Sequence, residues 1–407
     1  MVGRDIKGRH TRSPRVVKPL TKKDKTPLPQ GFWTIWTTVA LDLVGFGMVA
    51  PILGRYAERY GASGFQVGLL FATFSLAQFV FSPILGRLSD RIGRKPVILI
   101  SLCGTAIGSF ITGAAGALWV LFLGRAIDGA SGASVSVAQG AITDIAPPEQ
   151  RAKLLGMLGA AFGAGFVLGP AVGGLAALGG SHVPFYVASA IAAINAIAAW
   201  IRLPETHVDR TVKKSVDVKP RVLTPVMIRF AAIGFISTAA FSGFEATFSL
   251  FGGERFNLTE GSAAVVFLCV GVLLVIVQGV LIGPLTAGLG SARLFTYGQI
   301  GCAAGLAVLA TAQQWVVLGV ALALLAMGQG LASPSITTLV VDAAGGERRG
   351  EALGYQQSAN ALARIVGPAF AGLLFDRIST GTPYAIGAVF SVIAVILFLT
   401  RERVTNP

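Results

Sequence analysis

Five charged residues lie inside long apolar stretches of the chain, where ionisable side chains are rare. They are three acids and two arginines: Asp42, Arg125, Asp128, Glu245 and Arg364. A charge in an apolar environment costs at least ~2.5 kcal/mol unless it is paired or hydrated. Carboxylates under this constraint can take up and release protons, so these positions are the candidates for chemistry.

Arg125 and Asp128 are three residues apart, which places them on one face of a helix and within reach of each other. One interpretation is a static buried salt bridge. The other is a proton site, in which Arg125 sets the proton affinity of Asp128 and competes with the proton for it. Asp42, near the middle of the first apolar stretch, is a second candidate acid for proton coupling. Arg364 is equally well explained as a partner that faces a neighbouring helix.

Glu245 is flanked by an aromatic stripe. Phenylalanines at spacings of three, four and three share one helical face beside it: Phe241, Phe244, Phe248 and Phe251. Aromatic faces next to a carboxylate suit a lipophilic cation, so these residues and Glu245 are candidates for substrate binding. Phe162 and Phe166 are candidates for the same cavity. The alternative is a stripe that packs or contacts lipid, with Glu245 satisfied inside the protein.

The apolar stretches recur along the whole chain, in which 53% of the residues are hydrophobic and 13% are charged. This composition excludes an ordinary soluble domain and predicts an all-α protein that crosses a membrane many times. Crossing requires about 20 residues. We predict twelve spans: 33–54, 65–86, 96–115, 118–142, 152–178, 183–203, 226–250, 261–284, 292–312, 315–342, 350–374 and 382–400.

Basic residues are concentrated in alternate loops and in the two tails, although the net charge of the whole chain is +14. This distribution argues against a single nucleic-acid-binding patch and places both termini in the cytoplasm by the positive-inside rule. We predict a basic disordered tail at 1–32, a flexible cytoplasmic linker at 204–225 and a short tail at 401–407. The spans then form two bundles of six helices, at 33–203 and 226–400.

The two bundles are similar in sequence. Eight residues of the first recur in the second at the same spacing: Asp144, Glu149, Arg151, Leu155, Gly156, Gly169, Pro170 and Gly174 match Asp342, Glu347, Arg349, Leu353, Gly354, Gly367, Pro368 and Gly372. Two such repeats predict a substrate site at the midplane between them, reached when one bundle rocks against the other.

The turn after the second span is short and basic, with the sequence Gly86-Arg87-Leu88-Ser89-Asp90-Arg91-Ile92-Gly93-Arg94-Lys95. Asp90 is able to cap a neighbouring helix and to pair with Arg91 or Arg94, which predicts a latch between the bundles. Three residues of the next basic loop are expected in the same gating network: Asp144, Glu149 and Arg151. The alternative is a plain turn. The second-half copy, 283–288, lacks the acid and the first arginine.

The fifth span carries small residues on one face together with a proline: Gly165, Gly169, Pro170, Gly173 and Gly174. Proline frees a backbone carbonyl and permits a bend, whereas small residues permit close helix packing. A hinge that also seals against ion leak and a tight packing face are both consistent with this pattern.

These motifs resemble those of the major facilitator superfamily, and in particular its drug:proton antiporter branch, which includes tetracycline and multidrug efflux proteins. The matching segments are 86–95, 165–174, the first span at Leu41-Asp42-Leu43-Val44-Gly45-Phe46-Gly47 with Pro51, and Leu203-Pro204-Glu205-Thr206-His207. The resemblance implies the superfamily fold, a site in the plasma (cell inner) membrane, and export of lipophilic cationic or zwitterionic compounds in exchange for protons.

Other functions find less support in the residues. The sequence has no phosphate-binding Gly-Lys-Ser/Thr loop and no Ser/His/Asp or metal-ligand cluster, so we expect no cofactor, no metal and no enzymatic activity. We expect a monomer whose partners are a small lipophilic substrate, protons and the lipid bilayer. The alternatives are a lipid or glycolipid flippase, a metabolite transporter, and a receptor or scaffold that transports nothing.

Overall fold

The computed structural model describes residues 28–206 and 225–400. The predicted basic tail up to 27, most of the linker at 207–224, and the tail at 401–407 lie outside the described residues. The helices are α1 Phe32–Glu58, α2 Gly64–Ile92, α3 Arg94–Gly113, α4 Leu118–Ser131, α5 Ser134–Ile145, α6 Pro148–Ala177, α7 Val183–Arg202, α8 Pro225–Phe256, α9 Glu260–Ile276, α10 Ile282–Thr311, α11 Trp315–Arg377 and α12 Thr382–Leu399. A π-helical turn, Val277–Leu281, joins α9 to α10.

The described helices are consistent with the twelve predicted spans. Nine helical segments among the described residues are long and apolar enough to cross a membrane. One of them, Gly261–Thr311, contains both the eighth and the ninth span. The fourth span corresponds to α4 and α5 together, and the fifth span corresponds to α6. Large apolar side chains such as those of Trp119 and Trp200 are mostly exposed, as expected for a surface that faces lipid.

Three regions of the chain depart from one simple helix for each span. The fourth span breaks after Ser131, and the freed carbonyl of Gly132 accepts a hydrogen bond from Gln78 Nε2 at 2.9 Å. Gly290, with φ of 78° and ψ of 155°, ends the eighth span inside α10. The 63 residues of α11 comprise two spans, Trp315–Ala343 and Ala352–Arg377. Side chains from both spans line one pocket, so the chain reverses direction between them.

The basic turn after the second span is more helical than its sequence suggested. α2 continues through the motif to Ile92, and α3 begins at Arg94, so that Gly93 alone interrupts the helix. Gly93 has a φ of +105°, and a Cβ at this position would lie 2.8 Å from the carboxyl carbon of Glu205. Glycine is therefore needed here for both its backbone conformation and its small size.

The core is divided in a way that distinguishes the two ends of the molecule. We call the end that carries 86–95 and 203–206 the basic end, and the other the opposite end. One buried cluster at the opposite end joins the two halves and includes Met48, Phe71, Phe248 and Tyr384. At the basic end each half has its own cluster, one around Phe32 and Leu102, the other around Phe230 and Phe295. The halves thus pack together at one end and separate at the other.

Helices of different halves approach each other closely at the opposite end. A Cβ on Gly68 of α2 would lie 2.7 Å from the carbonyl carbon of Pro368 on α11, and one on Gly174 of α6 would lie 3.0 Å from the Cβ of Ala264 on α9. Small residues at these positions let the helix backbones touch across the two halves.

The sequence repeat corresponds to repeated packing within each half. Gly169 of α6 packs against Gly47 of α1, and its counterpart Gly367 on α11 packs against Ala239 of α8. Gly165 and Gly173 likewise contact α1, at Leu43 and Met48. In this conformation the glycine-rich face of the fifth span is a packing face, and α6 runs unbroken through Pro170.

Candidate functional site

The acids of the first half lie at the break in the fourth span. Ser134 is the first residue of α5, and its Oγ donates a hydrogen bond to Asp42 Oδ2 on α1. On α4, Arg125 Nη1 lies 2.7 Å from Asp128 Oδ2, and the side chain of Thr105 on α3 also donates to Asp128. The charges of Asp42 and Asp128 act on each other. The structure therefore brings together the three charged residues that the sequence singled out in this half.

Arg125 is enclosed by protein. The residue is 3% exposed and Asp128 is 8% exposed. The Arg125 guanidinium lies over the Phe74 ring, with its Cζ 4.3 Å from the ring centroid, and its Nε is buried without a hydrogen-bond partner among the described residues. A buried ion pair that leaves a donor unused responds strongly to loss of either charge.

Glu245 is the acid of the second half, on α8. Its Oε1 is buried and has no hydrogen-bond partner among the described residues. The opposite charge that acts on it is Arg364 of α11. The first half thus holds its carboxylates by direct hydrogen bonds, whereas the second half has a buried carboxylate oxygen with an unused acceptor.

The aromatic stripe beside Glu245 is mostly core in this conformation. Phe248 is 0% exposed and packs on Phe244 and Phe267, with ring centroids 5.3 Å and 5.5 Å away. Phe244 and Phe251 are buried in the same cluster, and Phe241 alone of the four is partly exposed. The periodicity places a stripe on one face, but packing decides whether that face meets a cavity. Phe162 and Phe166 lie on α6, and their side chains are outside the described part of the chain.

The motif at the basic end forms a network within the first half. Arg94 Nη1 lies 2.6 Å from Asp90 Oδ1, and Arg94 Nε lies 2.9 Å from Asp144 Oδ2. Arg91 is exposed, and Gly86 has open space around it. The side chains of Glu149 and Arg151 are outside the described residues.

The cap that we expected from Asp90 comes from another carboxylate. Glu205 Oε1 and Oε2 accept hydrogen bonds from the backbone N–H groups of Arg94 and Lys95, at 2.9 Å and 3.2 Å, and so cap the first turn of α3. Asp90 sits one turn too early for this role, because α2 continues past it to Ile92. The described contacts of Asp90, Arg94 and Asp144 all lie within the first half.

A polar pocket opens within the second half, between α8, α10 and the two spans of α11. Its polar lining consists of four amides and four hydroxyls: Gln299, Gln329, Gln356, Asn360, Ser237, Thr238, Ser333 and Thr337. Two direct bonds connect them, from Gln299 Nε2 to Ser237 Oγ at 2.8 Å and from Thr238 Oγ1 to Asn360 Oδ1 at 3.1 Å. The sequence shows these residues as scattered polar positions, and only the fold gathers them.

These features define a polytopic membrane protein built from two six-helix repeats with buried acids in each. The chain belongs to the major facilitator superfamily, whose family model matches residues 35–287 and 272–407. The family predicted from the motifs is confirmed, and so is the fold class.

Curated relatives cover most of the chain. The tetracycline resistance protein of class G from Vibrio anguillarum is 32% identical over 89% of this chain and 93% of its own length. The class E protein from Escherichia coli is 31% identical over 91% and 95%. Multidrug resistance protein 1 from Bacillus subtilis (strain 168) is 30% identical over 89% and 93%.

Solved structures share the fold at lower identity. The human organic anion transporter MFSD10 has a TM-score of 0.69 at 22% identity, over 90% of this chain and 98% of its own. The nucleoside transporter NupG has a TM-score of 0.73 at 16% identity, over 91% and 98%. These likenesses concern the architecture alone.

Proposed function

We propose that this protein exports lipophilic cationic or zwitterionic compounds from the cell in exchange for protons. The proposal is supported by the relatives, which are named for resistance to tetracycline and to multiple drugs. It is also supported by the buried acids, which give each half a group able to exchange a proton for a positive charge. The protein acts as a monomer without a cofactor or catalytic activity.

The two ends of the molecule correspond to the two sides of the membrane. The basic end faces the cytoplasm, because basic loops are retained on that side. Because the two halves have separate cores at this end, we infer that the conformation is open to the cytoplasm. The core that the two halves share closes the outer side. Export then requires the halves to rock so that the closed and open ends exchange.

Glu245 carries the proposal. Its buried Oε1, which has no hydrogen-bond partner among the described residues, has a free place for a proton or a cationic group. A cation bound at Glu245 is released when the carboxylate takes up a proton outside, and loss of that proton inside restores affinity. Asp42 and Asp128, with Arg125 beside them, supply the second proton-binding group in the first half. Phe241 offers the adjoining aromatic surface.

The test is proton release induced by a lipophilic cation, measured in proteoliposomes with a pH-sensitive dye. We expect Glu245→Gln and Asp42→Asn each to abolish cation-driven proton exchange while the purified protein keeps its thermal unfolding profile. Glu254→Gln, on the exposed side of the same helix, is the matched control and keeps wild-type exchange. Wild-type exchange in both test variants would refute the proposal.

A further inference from the structure

We propose that the polar pocket of the second half binds an uncharged hydrogen-bonding group of the exported compound, such as a carboxamide or a hydroxyl. This inference rests on the proposed function, because it adds a second point of attachment to the site at Glu245. It assigns a role to residues that the buried acids leave unused, and it specifies what the substrate carries besides its charge.

The lining of the pocket selects for neutral polar groups. Its polar side chains are amides and hydroxyls, which donate and accept hydrogen bonds but carry no charge. The described bonds use one N–H of Gln299, the hydroxyl hydrogens of Thr238 and Thr337, and three acceptor oxygens, those of Ser237, Asn360 and Gln329. The side-chain N–H groups of Gln329, Gln356 and Asn360 stay available among the described residues. A bare cation would gain no opposite charge here, and an apolar group would leave buried amides without partners.

The size of the pocket restricts it to one such group. Its volume of about 50 Å³ holds only a few water molecules, at roughly 15 Å³ each. A whole drug molecule does not fit, whereas a single amide or hydroxyl that displaces those waters does. The pocket is therefore a subsite of a larger binding region.

The helices connect this subsite to Glu245. Thr238 precedes Glu245 by seven residues on α8, which puts both on nearly the same face, about 10 Å apart along the axis. On α11, Asn360 precedes Arg364 by one turn. Along both helices, from the N-terminal to the C-terminal direction, the pocket residue therefore comes before the charged residue. A compound that spans both places its polar group about 10 Å from its cationic centre.

The fold offers matched neighbours for a test. Gln356 is buried in the pocket, and the adjacent Gln357 is exposed outside it. Thr337 lines the pocket and Thr338 does not, although each donates to the backbone carbonyl four residues earlier, at 3.2 Å and 3.0 Å. Each pair compares the same chemical change inside and outside the pocket.

The probes are two phosphonium cations of the same core: tetraphenylphosphonium, and a derivative whose arm ends in a carboxamide about 10 Å from phosphorus. Binding to the purified full-length protein is measured by scintillation proximity. We expect the arm to raise wild-type affinity about tenfold, the gain of one or two well-placed hydrogen bonds. Gln356→Leu and Thr337→Val lose this gain and bind the bare cation within about twofold of wild type. Gln357→Leu and Thr338→Val keep it.

The outcomes separate this inference from the proposed function. If the arm adds nothing in the wild type, or if its gain survives in both Gln356→Leu and Thr337→Val, the pocket is only a packed polar network and the inference is overturned. Glu245→Gln tests the proposed function instead, because it lowers the affinity for both cations alike. If Glu245→Gln still binds the bare cation with wild-type affinity, Glu245 is not the cation-binding group. The ratio of the affinities for the two phosphonium cations then still measures the contribution of the pocket.

Discussion

The two ends of the bundle use the same capping device in different ways. At the opposite end, Asp376 of the second half accepts hydrogen bonds from the backbone N–H groups of Gly64 and Phe65, both at 2.8 Å, and so caps α2 of the first half. At the basic end, Glu205 caps α3 within its own half. A carboxylate at a helix N-terminus stabilises the helix in both places. Only the Asp376 cap depends on how the halves are arranged.

The difference shows where this conformation is held. The opposite end combines a shared core, touching glycines and a cap that crosses between halves, whereas the basic end has contacts inside one half. The cap is also one-sided, because the repeat places Leu178 at the position equivalent to Asp376. Asp90, which pairs with Arg94 and caps no helix, also lacks an acidic equivalent in the second half.

The largest effect is expected from overfilling the closed end. In Gly68→Val the new side chain overlaps the backbone of Pro368 and Ala369. The overlap destabilises the closed end by about 1–3 kcal/mol. Separation of the two halves relieves it. Spin labels at Gly116→Cys and Gln314→Cys, one in each half, report the distance between outer loops once the three native cysteines are replaced by alanine. We expect a longer distance in most molecules. Gly283→Val, at a position with open space, is the control, and an unchanged distribution in Gly68→Val would contradict the assignment of this contact as the closure.

A smaller shift is expected from Asp376→Asn. The neutral amide loses the charge at the α2 N-terminus and one of the two acceptors, which costs about 1 kcal/mol. Because the cap exists only when the halves are together, the fraction with the long label distance rises about fivefold. Glu205→Gln weakens the corresponding cap inside one half in the same way, so it lowers the thermal unfolding temperature and leaves the distance unchanged. Equal distance changes in both variants would show that the two caps do not differ as described.

The smallest effect is expected from Asp90→Asn. The Asp90 side chain is 60% exposed, and exposed ion pairs contribute between 0 and about 1 kcal/mol. Arg94 keeps its bond to Asp144, so the unfolding midpoint measured by fluorescence stays close to that of the wild type. A loss of several degrees would mean that Asp90 stabilises the basic end in this conformation. Asp144→Asn, which removes the less exposed partner, provides the comparison.

Much of the fold follows from the sequence because hydropathy and loop charge are properties of each segment taken alone. The all-helical membrane fold, the family and the pairing of Arg125 with Asp128 were all accessible in this way. The repeat added the equivalence of Gly169 with Gly367, which the structure shows as matching contacts on α1 and α8.

The remaining features depend on partners distant in sequence. Glu205 lies 111 residues from Arg94, and Asp376 lies 312 residues from Gly64, so no local pattern identifies either cap. The break after Ser131 that brings Ser134 to Asp42 has no proline to mark it. The phenylalanine stripe is a local pattern that the sequence does show, but the same spacing occurs in a cavity wall and in a packed core. Only the packing of Phe248 identifies the stripe as core.

The shared core at the opposite end gives the transport cycle a thermal property. Opening that end to water exposes aromatic and aliphatic surface around Phe71 and Tyr384 that the closed state buries. Exposure of apolar surface raises the heat capacity and its burial lowers it, so the area exposed here and the area buried when the basic end closes together set the heat-capacity difference between the two states. That difference determines how strongly the free-energy balance between the two states curves with temperature.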